Sequence, residues 1–235
     1  MRRPQNGFTL LELLIGMTLM TLLMITLVIG IHIGIRAWER GQSHLRETRQ
    51  QAVRTQFLAR QISSLIPYRV ALAEADMNLE WTVLEATPER FRFLSTYDSR
   101  SQDRAGLELV EYAIVRTSPR EVGVFLRETP VQNDQDVVSE VIQGVTDDPD
   151  TGKKVITLRP FLRRESDLEL MKNLSTARFE YLAPPAQGGR PSWVTDYAGT
   201  KTWPYPQAVR LSWQQGKATA EETIPIRART FLESQ

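Results

Sequence analysis

The feature that most constrains this chain is near its start: from Phe8 to Ile35, 28 residues, only one side chain carries a full charge, Glu12. As a helix this run is about 42 Å long, against a bilayer hydrocarbon core of roughly 30 Å. It is long enough to cross a membrane with length to spare. Arg2 and Arg3 precede it, which favours an N-terminus held on the cytoplasmic side and the bulk of the chain across the membrane. A cleaved secretory signal has a shorter apolar centre and a small-residue cut site. Here the run is too long, and Ile35-Arg36-Ala37-Trp38-Glu39 makes a poor cut site.

The helical pattern continues past the apolar run. From Arg36 to Ile66 there is no proline. Leu45, Ala52, Val53, Phe57, Leu58, Ile62, Leu65 and Ile66 recur near a 3.6-residue period, and Pro67 ends it. The pattern predicts one helix from Phe8 to Ile66, about 88 Å long, with a lipid-facing first half and one stripe of its second half packed on a globular body. A carboxylate well inside a bilayer costs about 2.5–3.5 kcal/mol, so Glu12 calls for a reason. It lies four residues from Phe8, on the same helix face. A cut between Gly7 and Phe8 would create a terminal amine able to offset its charge.

The stretch "GFTLLE", Gly7 to Glu12, resembles the type III signal of type IV pilins and pseudopilins: a short basic leader, Gly before the cut, Phe after it, and Glu five positions into the mature chain. The resemblance implies that a prepilin peptidase cuts after Gly7 and N-methylates Phe8. It also implies that Glu12 helps a subunit enter a helical filament by pairing with a neighbour's terminal amine.

Beyond Pro67 the pattern becomes strand-like. Residues 79–86, 90–96, 107–116, 121–128, 153–160 and 177–183 read as strands. Residues 107–128 form a hairpin around "TSPR", and 208–229 a closing hairpin turning near Gly216. Residues 137–145 fit a strand or a short helix, and 166–174, starting at Ser166, read as a short helix. A long helix followed by antiparallel strands is an α+β order. The expected organisation is a leader (1–7), a transmembrane half-helix (8–35), a soluble half-helix (36–66) and a β-rich domain (67–235).

The C-terminal third narrows the resemblance. Phe179, Tyr181 and Leu182, then Trp193, "WPYPQAVRL" from Trp203 to Leu211, and Trp213 look like the minor pseudopilin J of type II secretion systems. Leu168, Leu170, Met171 and Leu174 precede that run as the family pattern has it. Pro206, Ala208, Val209 and Arg210 match its ending, and the segment 141–160 is longer than that pattern. The resemblance implies an inner-membrane subunit with a periplasmic body. It implies a tip complex with I- and K-type minor pseudopilins, an H type being a further candidate, and with the major pseudopilin. The runner-up is a minor pilin of a type IV or competence pilus. Individually the Trp and Pro residues are read as core and turn packing.

Catalytic chemistry finds little support. The two histidines, His32 and His44, both fall on the predicted rod, away from any triad partner. No zinc-protease, nucleophile-elbow or phosphate-loop motif occurs. Without cysteine there is no thiolate nucleophile. Arg163 and Arg164 beside Glu165 read as surface charge. The loop with Asp147, Asp148, Asp150 and Gly152 offers carboxylates for calcium, but the D-x-D-x-D-G spacing is broken. It is read as a solvated turn, and no cofactor is expected. Setting aside Arg2, Arg3 and Glu12, the 29 basic and 28 acidic residues reduce to 27 of each. So neutral a body argues against nucleic acid as a partner.

Overall fold

The computed structural model describes residues 10–74, 77–97, 106–147, 154–185, 189–199 and 205–227. The chain divides into two compact units, Met1–Val53 and Arg54–Gln235. Helix α1, Leu10–Ser63, supplies the first and opens the second. Then follow β1 (Arg69–Glu74), β2 (Met77–Thr82), β3 (Leu84–Ala86), β4 (Arg90–Ser95), β5 (Leu107–Ser118) and β6 (Glu121–Val131). Next come α2 (Asp134–Val141), β7 (Ile142–Asp147), β8 (Lys154–Leu158), β9 (Leu168–Leu174), β10 (Thr176–Ala183), β11 (Ser192–Val194), β12 (Ala208–Gln215) and β13 (Ala218–Pro225). The fold class is the expected α+β, a long N-terminal helix followed by an antiparallel β-rich domain.

The second unit holds a five-stranded sheet, β3-β4-β5-β6-β9, and a four-stranded sheet, β11-β10-β12-β13, both antiparallel throughout. Alternation along each strand builds a core on either side of the five-stranded sheet. On one side Phe91, Phe93, Val110, Tyr112, Val124 and Leu126 meet Leu58 and Ile62 of the helix end and Leu65 just beyond it, together with Phe179, Tyr181, Val209, Leu211 and Ile224 of the second sheet. On the other, Leu94 and Leu109 pack with Val70, Val83, Val137, Val141 and Ile142. Each such side chain taken out of water stabilises by roughly 1.5–3 kcal/mol.

Tyr181 stitches the two sheets together. Its buried hydroxyl donates to the carbonyls of Thr87 (2.8 Å) and Arg90 (3.0 Å) in the turn before β4. In the same turn Pro88 O accepts from Phe179 N at 2.8 Å. The C-terminal hairpin turns at Gly216, whose φ of +60° suits a residue without Cβ. The β5–β6 hairpin pairs from Leu107↔Val131 to Ser118↔Glu121.

Four segments differ from the sequence expectation. The helix stops at Ser63, not Ile66. Ile66 N bonds Leu94 O at 3.0 Å and Leu65 bridges Ser95, so the sheet takes the last turn. Pro67 also disfavours helical Ile66. The start at Phe8 lies outside the described residues. Residues 79–86 are not one strand: the chain bends at buried Val83, leaving β1's partner to join β4. Residues 137–145 divide into α2 and β7, the helix starting earlier at an Asn133 cap closed reciprocally by Asp136. Residues 166–174 are not a helix but strand β9, hydrogen-bonded to β6.

Candidate functional site: the exposed apolar helix

Leu10–Arg36 is 27 residues of helix with mean hydropathy 2.4 and no residue of its most apolar window buried. Every large apolar side chain along it lies open, Leu11 at 68%, Leu23 at 70% and Ile33 at 62% among them. In water such a surface would be untenable, since monomers rarely expose apolar patches beyond a few hundred Å². In lipid it is the ordinary state of a spanning helix.

The polar residues inside the run are handled in ways that suit lipid. Thr18 donates to Ile15 O (2.9 Å), Thr21 to Met17 O (2.8 Å), and Thr26 to Leu22 O and Leu23 O (both 2.9 Å). Each hydroxyl proton therefore finds a carbonyl of its own helix and needs no water. Glu12 is exposed in the first turn, where the helix dipole favours a negative charge. His32 is exposed within the apolar run, and Trp38 stands 70% exposed just beyond it. Gly7 and Phe8, with Arg2 and Arg3, lie outside the described residues, as does the side chain of His44.

In the globular unit the structure assembles charged residues that sequence reasoning passed over. A buried ladder crosses the five-stranded sheet. Glu85 pairs with Arg90 (2.8 Å) and Arg92 (2.9 Å), Arg92 Nε donates to Glu111 (2.7 Å), and Arg127 reaches Glu111 (3.5 Å) and Asp167 (2.8 Å). The segment 159–167 covers it: Arg159 O accepts from Arg90 and Arg92, and Leu162 O from Arg127. Burial opposes ionisation of Asp167, yet the Arg127 and Arg164 hydrogen bonds and charges outweigh it and hold its carboxyl below the ordinary value. Glu85 goes the other way: burial, aided by Glu111, raises it against the pull of Arg92 and Arg90.

Perturbed carboxyls can mark catalytic sites. Here three arginines share three carboxylates in one network beneath a covering segment, so the buried charges offset one another. The alternation in "RFRF" carried part of the signal: Arg90 and Arg92, two residues apart on one strand, alternate with Phe91 and Phe93. A second polar cluster fixes the helix end to the sheet. Gln61, fully buried, donates to Glu128 and accepts from Tyr112. Burial raises the Tyr112 hydroxyl well above its usual value.

Among the remaining sequence candidates, those that are described make packing and pairing contacts. Asp147 is exposed and pairs with Lys154 at 3.1 Å; Asp148, Asp150 and Gly152 lie outside the described residues. Among the described residues no group of three or more histidines or carboxylates could hold a metal ion. Arg163 lies over the Phe125 ring, and Arg164 reaches Glu140 at 3.4 Å. In the C-terminal run Phe179, Tyr181, Pro206, Ala208 and Val209 are buried. Arg210 stacks on Trp193 at 4.3 Å and pairs with Glu180 at 2.9 Å. Trp203 and Pro204 lie outside the described residues.

The prokaryotic N-terminal methylation motif matches residues 2–28. No curated protein matches the chain. The motif match covers Gly7, Phe8 and Glu12 and supports a type IV pilin-like or pseudopilin protein. It implies processing by prepilin peptidase and assembly with pilins, and the exposed helix is consistent with single-pass membrane anchoring.

Proposed function

We propose that this chain is a minor pseudopilin, J type, of a type II protein secretion system. It works as a structural subunit without catalysis, anchored in the inner membrane by its first helix. The leader is cut after Gly7, Phe8 is N-methylated, and the body stands in the periplasm. There it joins I- and K-type subunits at the tip of a short filament that supports export of folded proteins. The observation that carries the pilin-like part is the methylation motif over residues 2–28, continuous with a helix whose apolar surface is wholly exposed. The J type is supported by the C-terminal run from Phe179 to Trp213.

Glu12 serves assembly in this reading. Glu12→Leu leaves membrane insertion intact and lowers co-purification with partner pseudopilins; undiminished co-purification counts against it. The methylation motif suits a minor pilin of a type IV or competence pilus equally well. A strain deleted for the gene separates the two. Enzymes retained in the periplasm with normal motility fit the secretion subunit, whereas lost piliation with normal secretion fits the pilus.

A further inference from the structure

The helix is longer than the hydrocarbon it crosses, and the position of its polar residues decides which part lies outside. Glu12 and Arg36 are 24 residues apart, about 36 Å along the axis. Glu12 and Trp38 are 26 apart, about 39 Å. The hydrocarbon core is roughly 30 Å thick, and the bilayer with both headgroup layers about 40–45 Å. An ordinary tilt of about 20° shortens the first span only to about 34 Å. Acid and cation therefore cannot both be in hydrocarbon, and each can reach a headgroup layer.

Two placements compete. Drawing Glu12 into the core costs the insertion equilibrium about a hundredfold and pushes Ile33 and Ile35, 62% and 52% exposed, into water at the far end. Centring the helix near Ile25 instead keeps Gly16 to Ile35 in hydrocarbon. It leaves Glu12 at one headgroup layer and Arg36 with Trp38 at the other, where arginine and tryptophan are favoured. The threonines within the span already donate to their own helix.

We infer that the phospholipid interface is the resident partner of both ends of this helix. Glu12 lies in one headgroup layer, Arg36 and Trp38 lie in the other, and the carboxylate sets the depth at which an unassembled subunit rests. The inference rests on the membrane-anchor reading and deepens it. The carboxylate is stranded among apolar groups only when the helix is carried outward from this depth, and only then is a neighbour's amine needed.

The absence of cysteine makes every introduced thiol unambiguous. Leu11, Leu23 and Trp38 are almost equally exposed, at 68%, 70% and 70%, so differences in labelling report the bilayer alone. Full-length Leu11→Cys, Leu23→Cys and Trp38→Cys chains, each reconstituted without other subunits in phosphatidylethanolamine–phosphatidylglycerol vesicles, are exposed on both faces to a charged, membrane-impermeant maleimide. Positions 11 and 38 are expected to label at least about tenfold faster than position 23. Adding Glu12→Leu to the Leu11→Cys chain is expected to slow labelling to the rate at position 23. Position 11 as slow as position 23 with Glu12 present overturns the inference and leaves the anchor standing. An unchanged rate at position 11 after Glu12→Leu overturns the depth-setting role. Rapid labelling at all three positions overturns the anchor reading itself.

Discussion

Leu22 and Leu58 lie on one continuous helix, yet one is 64% exposed and the other 2%. The difference follows from what each stretch carries on its remaining faces. Around Leu58 the pattern is amphipathic: Arg54 and Arg60 flank one apolar stripe, and that stripe is buried against the five-stranded sheet. Around Leu22 the apolar residues run all round, so no single sheet could cover them. Apolar content alone thus does not distinguish a core helix from a lipid helix. The angular distribution of charge does.

The comparison breaks most visibly where charge is buried by design. Arg92, 1% exposed, balances Glu85 and Glu111. Arg92→Met strands both carboxylates and is expected to lower the unfolding free energy of the globular unit by about 3–5 kcal/mol. Denaturant unfolding of the full chain in detergent measures this, with membrane insertion unchanged. A loss under about 1 kcal/mol would mean that the ladder behaves like surface ion pairs.

The converse substitution, Leu23→Arg, puts a charge where none is tolerated. It is expected to cost insertion about 2.5–3.5 kcal/mol, read as the fraction of chain resisting carbonate extraction. The unfolding midpoint of the globular unit should not move. A shifted midpoint would show that the apolar stretch of the helix contributes to the stability of the globular unit.

The strands of the second unit were legible wherever alternation was clean. Phe91 and Phe93 announced β4, and "TSPR" and Gly216 announced their hairpins. The failures have physical causes. Met171 and Leu174 are three residues apart, as on a helix, and Ser166 resembles a cap. In the structure a bulge sets three residues of β9 against two of β6, pairing Met171 with Val124 and Leu174 with Val122. Asn173, at φ +55°, carries the irregularity. Spacing therefore mimicked a helix because the register slipped. Alternation hinted at the Arg90 and Arg92 rungs, but the pairing of the buried ladder was unreadable because Glu85, Arg92, Glu111, Arg127 and Asp167 come from five separate segments. At the N-terminus the motif was legible residue by residue, but the depth of Glu12 required the exposed positions of Arg36 and Trp38.

The smallest expected effect is on pH dependence. Asp167 is held below the ordinary carboxylate value, so its contribution is present above about pH 4 and lost as pH falls through its lower folded value. Glu85, raised in the fold, acts in the opposite sense: protonation relieves its cost as pH falls through its raised value. Asp167→Asn is expected to flatten the loss of stability below about pH 4 and leave the Glu85 contribution above it. Acid titration of the unfolding midpoint checks this; an unaltered acid limb would assign the loss to other carboxyls.

The Tyr181 hydroxyl closes on carbonyls 94 and 91 residues earlier in the chain. During synthesis Phe91 and Phe93 are made long before the strand that covers them. Until β10 emerges, the β4–β5–β6 hairpins carry an aromatic face that only the helix end can cover in part, and closing so long a loop is slow. A chain not yet complete therefore exposes apolar surface that favours aggregation. Its hazard ends only when the last third of the chain arrives, so a truncation before Tyr181 would release an aggregation-prone fragment.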